Sequence, residues 1–401
     1  MIKIQNKILC CGCEACVQVC PQKCIEFKQD KYGFFYPSVK EDECVNCNLC
    51  NKICPILNIK DYKLPNDTNT YAAYNPNNKQ RESSSSGGIF ISLAEKIIEK
   101  KGIIFAACFD DNWNVIHSYT DKIYDLEKFK RSKYVQSRIG NTFITIQEFL
   151  KSNRMVLFVG TPCQVAGLKG FLRKEYPNLI TVDVICHGVP SSKIWLKYLR
   201  EQKIYFSRKN NCGDIKFIDI SFRDKKISWH QFNLTIKYMV GDEELNKKIK
   251  TYSASQQQDY YMRSFLHDYI IRPSCFRCKF RNGKCKSDIT LADFWGIEKI
   301  TCEQNYIGEE GTTMILSHNS KSEKLLSELS IHKIPLPFKD SISGNPAIIK
   351  DWPKPIMYSF YNLLIQYISI KWSITLTETI ESIIKGIRIQ LRRTKKNILK
   401  K

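Results

Sequence analysis

The chain has 401 residues, room for one large domain or for two to three ordinary ones. Its 18 cysteines fall mostly in C-x-x-C spacings and the N-terminal MIKIQNKILCC holds no apolar run or cleavage site, so a secreted disulfide scaffold is set aside for a reducing, cytoplasmic setting. The net charge of +22 invites nucleic acid as a partner, but eight of those charges sit between Lys385 and Lys401, and no helix-turn-helix, paired-histidine zinc finger or RNP-like strand is present, which argues against specific nucleic-acid binding.

The first 60 residues are rich in cysteine. The run CCGCEACVQVCP reads Cys10-x-x-Cys13-x-x-Cys16-x-x-x-Cys20-Pro21, and CVNCNLCNKICP repeats it as Cys44-x-x-Cys47-x-x-Cys50-x-x-x-Cys54-Pro55. In this bacterial ferredoxin spacing, three thiolates in a tight loop reach three irons of one 4Fe-4S cubane, while the fourth cysteine serves the other cluster. Two clusters are expected, cluster I on Cys10, Cys13, Cys16 and Cys54, and cluster II on Cys44, Cys47, Cys50 and Cys20. Cys11 and Cys24 fall outside the spacing and read as spare thiols packed nearby.

Further along, the polar, proline-containing stretch Asp61–Thr70 reads as a linker. Ser86 ahead of Gly87 and IFISLAEKIIEKKG reads as an N-capped amphipathic helix, with Ile89, Leu93 and Ile97 inward and a stop at Gly102. GIIFAACF, RMVLFVG and LITVDVICHG read as strands, the last two followed by helices that begin near Pro162 and Pro190, and repeated strand-then-helix units argue an α/β sheet. DIKFIDISFRD and WHQFNLTIKYM alternate apolar and polar residues as antiparallel strands do. The uncharged IMYSFYNLLIQYISI has 15 residues (356–370), short of the roughly 20 that span a bilayer. Beyond it, Ile380, Ile383, Ile384, Ile387 and Leu391 share a helical face opposite Arg388, Arg392 and Arg393. That basic amphipathic pattern reads either as a packing helix with a solvated end or as a peripheral contact with the inner membrane face. The expected fold is α+β: a two-cluster ferredoxin domain over 1–60, a larger α/β domain over 61–350, and a helical basic tail over 351–401.

A second cysteine constellation lies in the larger domain. Cys163 occupies the turn Gly160-Thr161-Pro162-Cys163 at a helix start, and Cys186 the corresponding turn after the next strand. Turns at the C-terminal ends of parallel strands line one crevice, so the two cysteines are expected to converge, and Cys275-Phe-Arg-Cys278 adds a further pair. A third 4Fe-4S cluster on Cys163, Cys186, Cys275 and Cys278, with Cys285 or Cys212 as substitutes, is one reading. Buried free cysteines, a zinc site, or a nucleophilic Cys163 with its pKa lowered by the helix N-terminus are the others. His187 beside Cys186 is a candidate acid-base group or a structural histidine.

The motifs SSSGGIF (84–90), SKYVQS (132–137), VGTPCQVAGLK (159–169), DVICHGVPS (183–191) and the stretch from CFRCKF to SDITLADFWGI (275–297), set behind a ferredoxin domain, resemble the coenzyme F420 hydrogenase/dehydrogenase beta-subunit family. The resemblance implies an iron-sulfur flavoprotein, with FAD beside a cluster exchanging electrons with a deazaflavin or another organic acceptor. On it, Ser86, Gly87 and Gly88, at a helix start whose amides favour phosphate, and Lys133, Tyr134, Gln136 and Ser137 become candidates for holding the flavin. Read alone, these residues are an ordinary N-cap and loop. Divinyl chlorophyllide reductases share the architecture, and the chain looks most like bacterial members found among surface-polysaccharide genes. Three positions depart from the family pattern: Arg131 and Ala292 stand where glycine is expected, and Cys285 where arginine is expected.

The leading expectation is a ferredoxin-linked oxidoreductase with a redox partner, a ferredoxin or reductase, on one side and an organic substrate on the other. Flavin suits the junction because it handles one-electron and two-electron steps. The alternatives are a non-catalytic electron-transfer or assembly subunit docking a partner in polysaccharide biosynthesis, and a redox sensor.

Overall fold

The computed structural model describes residues 1–2, 7–59, 68–213, 215–241, 248–281, 284–350 and 353–398. In the ferredoxin domain each three-cysteine loop runs into a short helix, Ala15–Gln18 or Leu49–Ile53, whose caps Glu14 and Asn48 take the left-handed conformation (φ 60° and 61°) that turns the chain sharply around its thiols. The strands β1 (Ile25–Gln29) and β2 (Phe35–Val39) form an antiparallel hairpin. Its turn is closed by Asp30 Oδ1, which accepts the N–H groups of Tyr32 and Phe34.

The body is built on β3 (Asn69–Tyr74), β4 (Ile103–Phe109), β5 (Val115–Thr120), β6 (Val156–Gly160), β7 (Leu179–Val184), β11 (Ile289–Asp293), β12 (Thr313–Ser317) and β13 (His332–Leu336), in the order β13-β3-β12-β11-β7-β6-β4-β5. The central strands β11, β7, β6 and β4 are parallel, and antiparallel strands flank them on both sides. Continuous apolar runs such as VLFVG suit this centre, because helices bury both faces. Phe143, Ile146, Leu150, Val165, Leu168 and Phe171 pack on one face, and Ile89, Leu93 and Ile97 on the other. The second sheet, of β8 (Ile215–Asp224), β9 (Asn233–Val240) and β10 (Lys248–Ser255), packs with the helices Ser192–Asn210 and Tyr260–Leu266 around Trp195, Tyr198, Phe222 and Tyr261.

Several expectations are met and several corrected. The helices near Pro162 and Pro190 are Pro162–Leu172 and Ser192–Asn210, the latter capped by Ser191. Ser86 does not cap its helix: the helix is Ile89–Glu99, Gly88 at φ +82° is its cap, and Ser86 Oγ donates to the Thr312 carbonyl instead. Two glycines in the turn move the helix start beyond the serine's reach. The strand β10 escaped the sequence reading because KIKTYSAS is short of large apolar residues. Of the expected linker, residues 61–67 lie outside the described residues, while Asn69 and Thr70 already belong to β3. Residues 351–352, where the tail is expected to begin, also lie outside the described residues. After them, the helices Tyr358–Tyr367 and Ile370–Ile398 place Tyr361, Ile365, Ile370 and Ile374 in the core around Trp195. The apolar face expected on the last helix divides: Ile380 and Ile384 pack on that core, whereas Ile383, Ile387 and Leu391 are exposed. Among the described residues no helix is long and apolar enough to cross a membrane.

The ferredoxin domain is seated on the body by polar contacts. Glu14, buried, pairs with Arg138 and accepts the Ile139 and Gly140 N–H groups, and Gln18 Oε1 accepts the Phe143 and Ile144 N–H groups at the N-terminus of the helix Thr142–Lys151, which has no side-chain cap of its own. The helix Pro162–Leu172 offers glycines at the contact, where a Cβ on Gly167 would lie 2.8 Å from Cys13 Cβ and one on Gly170 2.4 Å from the Ile53 carbonyl oxygen.

Candidate metal centres and cofactor cradle

The two ferredoxin runs interleave as their spacing requires. Burial pushes the Cys16 thiol up, with further pressure from Cys10, Cys54 and Cys50, so the fourth cysteine of the second run sits beside the first loop. Cys20, Cys44, Cys47 and Cys50 line one cavity together with Cys24, whose Sγ is 3.4 Å from Cys20 Sγ. Cys24 thus lies beside the thiols expected to hold cluster II.

The second constellation also gathers. β6 and β7 are adjacent and parallel, so the turns that carry Cys163 and Cys186 leave the sheet at the same edge. Thr161 and Gln164 form a capping box around Cys163, and Thr161 Oγ1 lies 3.2 Å from its sulfur. Cys275 and Cys278 come from the turn Pro273–Arg277. Burial raises the Cys186 thiol pKa, and the neighbours adding to it are Cys275, Cys163 and Cys278. Cys275 is pushed up to about 12 by burial and then by Cys278. Four thiols so placed cannot all ionise unless cations stand between them, and the irons of a cubane are such cations. Among the described residues no three His, Cys, Asp or Glu side chains close around a single ion, and a cubane sets its thiolates farther apart than one ion does. Of the substitutes, Cys285 donates to Asp183 (3.0 Å), and Cys212 lies at the end of the helix Ser192–Asn210.

Cys163 carries a raised pKa, first through its hydrogen bond with Cys11 and then through burial, opposite to the shift a nucleophilic thiol requires. Cys11 is itself hydrogen-bonded to Cys13, so the thiol read as spare stands between the cluster I loop and the third set. Its one signal in the sequence was the doublet Cys10-Cys11. His187, the other acid-base candidate, is paired with Asp268 at 2.7 Å and has its ring against Phe265.

The candidates for holding a flavin separate into two places. Ser86, Gly87 and Gly88 lie on the serine loop, where the Gly87 N–H donates to Thr313 Oγ1. Ser132 N–H donates to Ser85 Oγ, which lays the loop bearing Lys133 and Tyr134 on that serine loop. Lys133 donates to the Lys130 and Arg131 carbonyls, and burial pushes its pKa down to about 7. Tyr134 stacks on Phe265 at 4.6 Å. Arg131 keeps the backbone of the glycine it replaces, at φ +67°, and its guanidinium pairs with Asp219 through two hydrogen bonds of 3.1 and 2.7 Å. Ala292 lies in β11 opposite Met314. Gln136 and Ser137 turn elsewhere: Gln136 Nε2 donates to the Cys11 carbonyl, and Ser137 Oγ bonds His117 Nδ1 at 2.7 Å.

Two residues missed in the sequence complete the cradle. Arg223, buried on β8, pairs with Asp293 at the end of β11, lies near the Tyr134 side chain, and leaves Nε and Nη2 without a geometric hydrogen bond among the described residues. Lys225 donates to the carbonyls of Arg81, Ser86 and Glu310, which uses all three N–H groups of an ammonium and opposes the burial that draws its pKa down towards 7. Buried guanidinium nitrogens, a half-buried lysine and a Gly-Gly helix start suit an anionic group such as a diphosphate.

Residues 153–334 match the family described as the C terminus of the coenzyme F420 hydrogenase/dehydrogenase beta subunit, and residues 9–57 match the 4Fe-4S dicluster domain. The chain is 22% identical over 209 residues to an F(420)H(2) dehydrogenase subunit from Methanosarcina mazei, covering 48% of this chain and 58% of the relative. It is 26% identical over 204 residues to the coenzyme F420-dependent sulfite reductase of Methanocaldococcus jannaschii, covering 49% of this chain and 30% of the relative. These matches therefore span from about a third to somewhat over half of the relatives' lengths. A chain of the F420-reducing [NiFe] hydrogenase complex from Methanosarcina barkeri aligns over 79% of this chain and 91% of its own, with 14% identity and a TM-score of 0.43. The chain thus carries, in this order, a 4Fe-4S dicluster domain over 9–57 and, over 153–334, a domain of the family described as the C terminus of the coenzyme F420 hydrogenase/dehydrogenase beta subunit.

Proposed function

We infer that the chain is an iron-sulfur flavoprotein oxidoreductase that passes electrons between a redox partner protein and an organic two-electron acceptor, in either direction. The observation that carries this reading is the meeting of Cys163, Cys186, Cys275 and Cys278 beside the cluster I loop. When bound, the clusters supply one-electron transfer and the FAD supplies the exchange between one-electron and two-electron steps. The chain's own residues do the rest. Eight ferredoxin cysteines hold the first two clusters, and the exposed Cys47 and Val45 mark the edge at which a partner exchanges electrons. The four half-buried cysteines of the body hold the third cluster. Arg223, Lys133 and the serine loop bind the diphosphate of FAD, Lys225 fixes that loop through the Arg81 and Ser86 carbonyls, and Tyr134 packs against Phe222 and Phe265 beside it. The division into a ferredoxin unit to residue 60, a cofactor unit to 350 and a basic tail beyond serves these three tasks.

Anaerobic purification followed by iron, sulfide and flavin analysis tests the reading. About twelve irons and one flavin per chain are expected, since each cubane carries about four irons. About eight irons without flavin would leave a dicluster electron-transfer protein and remove the proposed chemistry. Cys163→Ser is expected to lower the count from about twelve to about eight and to block flavin reduction through the clusters. Unchanged iron and reduction in that variant would refute the third set of ligands.

A further inference from the structure

Arg272 is fully buried, yet among the described residues its three side-chain hydrogen bonds end on neutral acceptors. Nε donates to the Cys10 carbonyl (2.7 Å), Nη1 to Gln136 Oε1 (3.0 Å) and Nη2 to the Phe35 carbonyl (2.9 Å). The guanidinium lies over the Tyr36 ring, 4.4 Å from its centroid. Its own main chain faces the other way: the Arg272 N–H donates to the Val189 carbonyl and its carbonyl accepts the Cys275 N–H, both at 2.9 Å. Gln136 extends the link, with Nε2 on the Cys11 carbonyl (3.2 Å) and its N–H on the Pro190 carbonyl (2.8 Å). Gly12 makes room for both, because a Cβ there would lie 2.6 Å from Gln136 Nε2 and 2.9 Å from Arg272 Nη1.

We propose that Arg272 is the positioning residue that joins cluster I to the third cluster, holding the Cys10–Cys13 loop against the Cys275 turn and supplying the buried positive charge that both anionic sites share. The inference rests on the three-cluster reading above. A buried cation without a carboxylate is costly unless an anion stands nearby, and thiolate-bound cubanes are anionic in both redox states. The exchange Arg272 serves moves one electron: one site is oxidised by one as the other is reduced by one, no bond is made or broken, and the guanidinium keeps its proton. A nearby positive charge favours the more negative, reduced state, so Arg272 raises the potential at which the third site is reduced.

The test uses the full chain, purified anaerobically, with Arg272→Met, Arg272→Lys and Gln136→Leu, read by iron content and by redox titration followed by electron paramagnetic resonance. In Arg272→Met the third-site signal is expected to shift to lower potential and the magnetic coupling between it and cluster I to weaken. Arg272→Lys is expected to recover the potential but not the coupling, because it keeps the charge and loses the fork. Gln136→Leu is expected to weaken the coupling at unchanged potential, and it decides the matter together with Arg272→Lys if Arg272→Met does not fold. Twelve irons in the unsubstituted chain, with potential and coupling unmoved in the variants, would overturn the role of Arg272 alone. Eight irons in the unsubstituted chain would remove the third cluster and this inference with it.

Discussion

The buried amine of Lys133 makes cofactor affinity depend on pH in a way that can be worked out. Burial pushes its pKa down to about 7, and its two carbonyl acceptors satisfy a neutral amine as well as an ammonium. A diphosphate is ionised throughout the neutral range and favours the protonated lysine. With half the lysines protonated at pH 7 and about one in a hundred at pH 9, affinity for FAD should fall about 50-fold between those values, or about 2 kcal/mol. The stability of the flavin-free protein runs the other way. Its folded lysine is depressed relative to the unfolded one, so from about pH 7 upward the unfolded state holds the extra proton and stability rises with pH. The assay is fluorescence titration of the flavin-free protein with FAD at fixed ionic strength from pH 6 to 9, beside Lys133→Arg, which stays charged and should give a shallower profile, keeping only the part due to Lys225 in the same cradle. A flat profile in the unsubstituted chain, or the same slope in Lys133→Arg, would refute the reasoning.

Two other expectations follow from packing. Gly170→Val puts side-chain atoms where a Cβ alone would lie 2.4 Å from the Ile53 carbonyl oxygen. Overpacking of this kind costs about 1–3 kcal/mol, so the thermal midpoint should drop; an unchanged midpoint would show that the two domains do not bear on each other there. A chain ending at Lys385 keeps Tyr361, Ile370 and Ile374 in the core but removes Ile387, Leu391 and seven of the eight basic residues of the tail. Its stability should stay within about 0.5 kcal/mol while sedimentation with anionic lipid vesicles is lost, and equal sedimentation of both chains would dispose of a peripheral membrane contact.

What the sequence determined alone was whatever is written in local spacing. The eight ferredoxin cysteines, the parallel strands with their following helices and the positions of Cys163 and Cys186 at strand ends all rest on patterns a few residues long, and rise, turn and period hold such patterns to one geometry. Tertiary structure decided which distant segments meet. That Cys275 and Cys278 close on Cys163, that Cys11 stands between two cysteine sets, and that Gln136 serves the ferredoxin interface rather than the serine loop depend on the packing of segments more than a hundred residues apart. Arg223, Lys225 and Arg272 were invisible for the same reason. A basic residue in a basic chain looks like solvated surface until the fold buries it, and burial of charge is a property of the whole packing, not of any stretch of sequence.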